Sequence, residues 1–259
     1  MEKYSELMTE SINGLSLLWD SKVSEAQKEV LRDMVRNMVT ISGGSFWMGA
    51  KPGDYDGDID ERPGHSVTLS TYLIGKYELT QREWMAVMGS NPSFFVGEDL
   101  PVDCVSWEMI NDHFLPKLRS MTGLNFRLPS EAEWEFAARG GNCSCGYIYS
   151  GSNSRSDVAW HMENSDRMTH PVGQKLANEL GLFDMSGNVW EWCNDWYSGV
   201  YYSSSPSNNP MGPVSGTHHV LRGGGWTSNA WSSRVLFRHH DSPTGYCALY
   251  GLRLALSLA

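Results

Sequence analysis

Basic charge is scarce in this chain: 20 Lys and Arg stand against 30 Asp and Glu over 259 residues, a formal charge of −10 at neutral pH. A phosphate backbone or an anionic bilayer calls for a cationic face, so this balance argues against nucleic acid and membrane partners. Long apolar runs are also missing. No stretch approaches the ~20 residues that span a bilayer, and Met1-Glu2-Lys3-Tyr4-Ser5-Glu6 is too polar to open a signal peptide. The expectation is a soluble protein, cytoplasmic or displayed on a phage or assembly. Cysteine gives little structure to work with. Cys104, Cys143, Cys145, Cys193 and Cys247 form an odd set without metal-spaced double pairs, which predicts free thiols rather than zinc or a disulfide framework.

Periodicity is strong only near the N-terminus and in short pieces beyond it. From Ser16 to Val39 apolar residues recur at helical spacing, with Ser24 and Gln27 placed for a capping box. Residues 1–38 therefore read as an N-terminal helical segment leaning on a domain that occupies 39–259. Val39 to Gly49 alternates around Gly43-Gly44 as a hairpin does. Asp54, Asp56, Asp58, Asp60 and Glu61 invite a Ca²⁺ loop, but Ile59 and His65 stand where an EF-hand needs glycine and a bidentate glutamate, so a solvated loop is expected. Thr80 caps a short helix from Gln81, and a second helix runs from about Trp107 to a stop at Gly123. Ser130 and Glu133 form another capping box; the helix they open carries Glu131, Glu133 and Glu135, which read as capping and solvated residues. Trp190, Trp192 and Trp196 share one strand face and Glu191 and Asp195 the other. Asn188 and Glu191, beside a glycine turn, are a candidate Ca²⁺ pair; no other cofactor is expected.

The final stretch, Val220 to Leu256, has glycine-rich ends and an irregular middle loaded with aromatics. Aromatics on loops usually serve recognition. Arg127-Leu128-Pro129-Ser130-Glu131-Ala132-Glu133-Trp134-Glu135, Gly181 to Trp192, Leu221-Arg222-Gly223-Gly224 and Gly251-Leu252-Arg253 together resemble the formylglycine-generating enzyme, or sulfatase-modifying factor, family. The resemblance covers about Val39 to the C-terminus. It implies an α+β, C-type-lectin-like fold: irregular, with two main helices and a small twisted antiparallel sheet. Oxidases of that family hold Cu(I) with two cysteines five positions apart beyond the Gly-Gly; here those positions are Ser228 and Ser233, so the resemblance implies a lost catalytic centre. An iron-binding histidine set is also missing, since His239 and His240 are adjacent.

The same stretch resembles the variable region of variable proteins from diversity-generating retroelements. There, adenine-directed errors turn AAC codons into others ending in C, which cannot encode Lys, Glu, Gln, Met or Trp. Between Thr227 and Tyr250 the chain has none of the first four, and Trp231 alone of the last. Arg222, Gly223, Gly224, Trp226, Ala230, Arg234, Arg238, Pro243, Gly251 and Arg253 resemble the fixed scaffold. The reading is a non-enzymatic protein with a variable binding region at 226–256 and a protein or other macromolecular ligand. Its ligand-binding residues would be Thr227, Ser228, Trp231, Ser232, Phe237, His239, His240, Asp241, Ser242, Thr244, Tyr246, Ala248, Leu249 and Tyr250. An oxidase with an unrecognised centre is the alternative.

Overall fold

An Asn13-Gly14 turn, with φ of 53° and 77°, folds strand β1 (Met8–Ile12) onto β2 (Leu15–Trp19). This computed structural model describes residues 8–51, 53 and 57–257. Asp54 and Asp56 of the acidic loop lie outside the described residues. The hairpin corrects the expectation of a helix from Ser16: Leu17 and Trp19 alternate with exposed neighbours, a strand pattern, and the helix begins only after the Ser24 cap. Helix α1 (Glu25–Arg36) has the expected Ser24–Gln27 capping box and buries Leu31, Met34 and Val35. These residues join Leu17, Trp19, Leu73, Trp84 and Phe114 in one cluster, so the N-terminal segment shares the domain's core instead of leaning on its surface.

Two four-stranded sheets carry the rest. In chain order the strands are β3 (Met38–Ile41), β4 (Gly44–Met48), β5 (His65–Leu69), β6 (Tyr72–Gly75), β7 (Phe126–Arg127), β8 (Trp190–Trp196), β9 (His219–Arg222), β10 (His239–Asp241), β11 (Tyr250–Gly251) and β12 (Ala255–Ser257). One sheet has the antiparallel order β3-β6-β12-β7. The other runs β10-β9-β8-β11 and contains a parallel pair, β8 with β11, which the expected antiparallel sheet did not include. Strands β4 and β5 form a separate antiparallel pair, so the hairpin expected around Gly43-Gly44 does not form: β3 pairs with β6 and β4 with β5.

Helix α2 (Gln81–Met88) starts at the Thr80 cap, and α4 (Glu131–Ala138) at the Ser130–Glu133 capping box. Between them, the helix expected from Trp107 widens over Met109–Phe114, where Leu115 N–H reaches Ile110 O, before continuing as α3 (Leu115–Thr122) to Gly123. Pro116, which lacks an N–H, sits at the junction. The described residues therefore hold four helices of eight or more residues, where two main helices were expected. Long ordered loops link α4 to β8. Gly187 there has φ of +90°, and a Cβ would stand 2.4 Å from Trp160 O, so only glycine lets the chain turn into β8.

Candidate functional site

Four arginines of the final stretch anchor it from within. Arg222, fully buried, binds the Glu135 carboxylate; Arg238 donates from Nε and Nη2 to Glu131 at 2.7 and 2.8 Å. Arg253 meets Glu191 at 2.8 Å, and Arg234 meets Glu61 at 2.7 Å. Buried charges are tolerated only when paired and hydrogen-bonded. Arg222 also donates to the carbonyls of Leu236 and Phe237, so its guanidinium fixes loop backbone that belongs to no sheet. Burial would push Glu135 upward, but Arg139 and Arg222 hold its carboxyl below the ordinary range. At Glu61 burial outweighs Arg234, and the carboxyl is raised.

This lattice corrects two expectations. Glu131 and Glu135 are not solvated: they lie one helical turn apart on α4, aimed inward at Arg238 and Arg222, while Glu133 caps the helix and binds Arg127 at 2.6 Å. Likewise the acidic loop is not solvated throughout, since Glu61 is fully buried and Asp60 accepts the Tyr197 hydroxyl at 2.8 Å. Their i,i+4 spacing was the one signal in the sequence that Glu131 and Glu135 share a face.

The candidate Ca²⁺ pair is committed to protein partners. Glu191 accepts from Trp134 Nε1 at 2.7 Å as well as from Arg253. Asn188 donates to Glu78 at 2.7 Å and accepts from His170 N–H at 3.0 Å. A divalent cation at Glu191 would face a buried guanidinium, so the pair does not fit Ca²⁺. Among the described residues no group of three or more His, Cys, Asp or Glu is arranged to hold a metal ion.

The structure divides the expected binding residues into two patches. In the first, ring contacts run from Phe237 to Trp190 (5.8 Å), Trp190 to His239 (4.9 Å) and His240 to Tyr197 (3.9 Å) and His218 (5.0 Å). Asp241 and Ser242 continue this patch into a turn closed by Gly245 N–H on Ser242 O, with Thr244 exposed and Tyr246 67% exposed beyond it. Half-buried Ala248 and Leu249 return the chain to β11: Trp226 Nε1 donates to Ala248 O, and Trp190 N–H to Leu249 O. Burial pushes His239 and His240 below the ordinary histidine range, each assisted by a neighbouring histidine. The second patch holds Trp231, beside Ser232. Its indole donates to Asp58 at 2.9 Å, and Arg234 stacks over its ring at 3.8 Å. No ring contact among the described residues joins Trp231 to the first patch.

Ser228 and Tyr250 are corrections, because both are buried. Ser228 Oγ accepts the Gly225 N–H at 2.8 Å, closing the Gly225–Ser228 turn on which Thr227 is exposed, and Tyr250 packs edge-on against Trp192. Both support the surface without forming it. Ala230, expected among the fixed scaffold, is exposed and lines a cleft with Trp231. Tyr147, Ile148 and Lys51 on the opposite wall escaped the sequence reading, although Gly146-Tyr147-Ile148-Tyr149 repeats the pattern of aromatics on a glycine-flanked loop.

Ser228 and Ser233 do converge. A Cβ on Gly224 would lie 3.1 Å from Ser228 Oγ and 3.2 Å from Ser233 Cα. Ser233 Oγ donates to Asn229 O at 2.9 Å. The backbone thus brings together the two positions at which the resemblance implies thiolates.

Residues 23–258 match the Sulfatase-modifying factor enzyme 1-like domain. The chain belongs to this family. Chaperone protein LppX of Paenibacillus barcinonensis is 36% identical over 241 residues, covering 74% of this chain and 82% of that protein. Serine/threonine-protein kinase Pkn1 of Chlamydia trachomatis is 32% identical over 259 residues, 91% of this chain and 41% of Pkn1, so the chain spans about two fifths of that relative. Among solved structures, Treponema denticola variable protein 1 superposes with a TM-score of 0.75 at 30% identity, covering 96% of this chain and 98% of that one. The C-type-lectin-like fold, the family and the likeness to a variable protein therefore stand as the sequence indicated. Cu(I), which the sulfatase-modifying factor family implies, does not fit this member's donors: the cation requires soft thiolates, and two hydroxyls already engaged with backbone are hard and neutral. No helix among the described residues is long and apolar enough to cross a membrane.

Proposed function

We propose that this chain is a non-enzymatic binding protein whose C-terminal segment presents a diversified recognition face to a protein ligand. The observation that carries this reading is the alternation of roles along the segment. Arg222, Arg234, Arg238 and Arg253 bond inward to buried glutamates, while Thr227, Trp231, Thr244 and Tyr246 between them reach the surface. A scaffold held by its own internal ion pairs tolerates change in the residues between its anchors. Trp231, Phe237 and Tyr246 supply aromatic anchors; Ser232, His239, His240, Asp241, Ser242 and Thr244 adjust hydrogen bonding and charge. The likeness to Treponema denticola variable protein 1 and the serines at the copper positions support the same reading.

A display library tests it. Randomising Thr227, Trp231, Ser232, His239, Thr244 and Tyr246 should leave most members folded by protease resistance and yield binders to immobilised proteins; randomising Arg222, Arg238 and Arg253 should leave few folded. Diversification itself is tested in flanking DNA, where a near-copy of the Trp226–Leu256 coding segment rich in AAC codons should lie beside a reverse transcriptase gene. Oxygen consumption on a cysteine peptide by protein carrying stoichiometric copper would overturn the proposal.

A further inference from the structure

A cleft of about 420 Å³ separates the loop Gly146–Tyr149 from the segment Ala230–Leu236. Two bonds fasten its walls together: the Tyr149 hydroxyl donates to Ala230 O at 3.2 Å, and Val235 N–H donates to Ile148 O at 3.0 Å. Trp231 is fixed on one wall by Asp58 and by the Arg234 guanidinium. The cleft is therefore preformed, and a ligand entering it meets an aromatic anchor whose rotamer is already set.

Its charged lining residues are basic although the protein as a whole is acidic. The chain carries a formal −10, yet the lining includes Lys51, Arg139 and Arg234 and, among the described residues, no carboxylate. Arg139 and Arg234 have buried counter-ions behind them in Glu135 and Glu61, and Arg234 also lies 3.9 Å from the half-exposed Asp58 carboxylate that holds Trp231. Lys51 is exposed and has no carboxylate partner among the described residues. The walls stay open: Tyr147 is 37%, Trp231 38% and Ile148 50% exposed. A pocket built for a small molecule encloses most of its ligand's surface, whereas half-exposed walls suit an occupant that continues past them.

From this geometry we infer that the cleft binds an acidic polypeptide segment, seating an aromatic or branched apolar side chain against Trp231, Tyr147 and Ile148 with flanking carboxylates beside Lys51 and the two arginines. The inference rests on the binding-protein reading and adds the chemistry of the ligand. It also assigns Trp231 to a subsite of its own, apart from the histidine and tyrosine patch.

Three end-blocked, fluorescein-labelled heptapeptides with Asp-Phe-Glu, Ser-Phe-Ser or Lys-Phe-Lys cores test it by fluorescence polarisation on the full chain. The acidic core should bind about tenfold or more tighter than the Lys core and weaken as salt rises. Trp231→Ala and Lys51→Glu should each weaken it about tenfold at unchanged melting temperature, while Val214→Ser, at an exposed position outside both patches, should have no effect. Equal binding of acidic and basic cores, binding indifferent to both cleft variants, or saturable binding of indole-3-acetate without any peptide binding would overturn the inference. Should library-selected protein binders depend on Tyr246 while all three peptides fail, this inference falls and the binding-protein reading stands.

Discussion

Arg238 reaches across 107 residues of chain to place Nε and Nη2 at 2.7 and 2.8 Å from the two carboxylate oxygens of Glu131. The fork-on-fork geometry is bidentate, and both side chains are nearly inaccessible to water. The same guanidinium donates to Asp60 O at 2.8 Å and lies 4.2 Å from the centre of the Tyr202 ring. One cation thereby joins α4, the acidic loop and the final stretch.

Removing one partner of that pair should therefore be severe. Glu131→Ala leaves the Arg238 charge buried without a counter-ion and is expected to cost about 3–5 kcal/mol, read as a drop in the denaturation midpoint. Pairing Glu131→Leu with Arg238→Met should recover most of the loss, since an apolar pair replaces the ions. A midpoint unchanged by Glu131→Ala would show that the pair is not a keystone.

Stability should also depend on His219. Its ring is stacked between Trp107 and Trp196 at 3.8 Å from each, Nδ1 donates to Asp195 O, and Nε2 is buried without a partner. Burial lowers its pKa from 6.5 to about 4. The unfolded chain thus takes up this proton first on acidification, so the contribution is complete above pH 6.5 and is lost as pH falls toward 4. Asp184, raised to about 6 by burial, acts in the opposite sense. The measurement is accordingly the difference between wild-type and His219→Gln melting temperatures across pH; parallel profiles would contradict the assignment.

Tyr246 and Tyr250 should behave as opposites although four residues separate them. Tyr246 is 67% exposed and Tyr250 8%. Tyr246→Ala should change stability by less than about 0.5 kcal/mol. Tyr250→Ala removes a ring packed on Trp192 and should cost about 3 kcal/mol or more. Chemical denaturation of the two variants separates surface from support directly.

Copper affinity should be recoverable by substitution. Because Ser228 and Ser233 flank Gly224, Ser228→Cys with Ser233→Cys should create a Cu(I) site that competes with a bicinchoninate chelator, while the wild-type chain holds no copper against it. Weak or absent binding by the double variant would mean that the backbone here has drifted from the geometry two thiolates need.

Local structure was legible wherever its bonds close within one helical turn. Ser24 with Gln27 and Ser130 with Glu133 are each spelled by residues three apart, and each forms its reciprocal cap; at Thr80 the expected cap forms and Glu83 completes it. The family motifs gave the fold, and the missing thiols at Ser228 and Ser233 were plain in the sequence. Leu15 to Trp19 misled because apolar residues running toward a real helix mimic its period, whereas pairing with Met8–Ile12 made them a strand. Only the tertiary structure decided which glutamate each arginine meets: Glu61 and Arg234 lie 173 residues apart, and nothing local marks either as a partner. It alone set Trp231 opposite Tyr147 and away from His239, and drew Ser228 and Tyr250 inside. Sequence records what each residue is able to bond; burial and long-range packing choose among those bonds, because a charge removed from water must find its counter-ion wherever the fold has placed one.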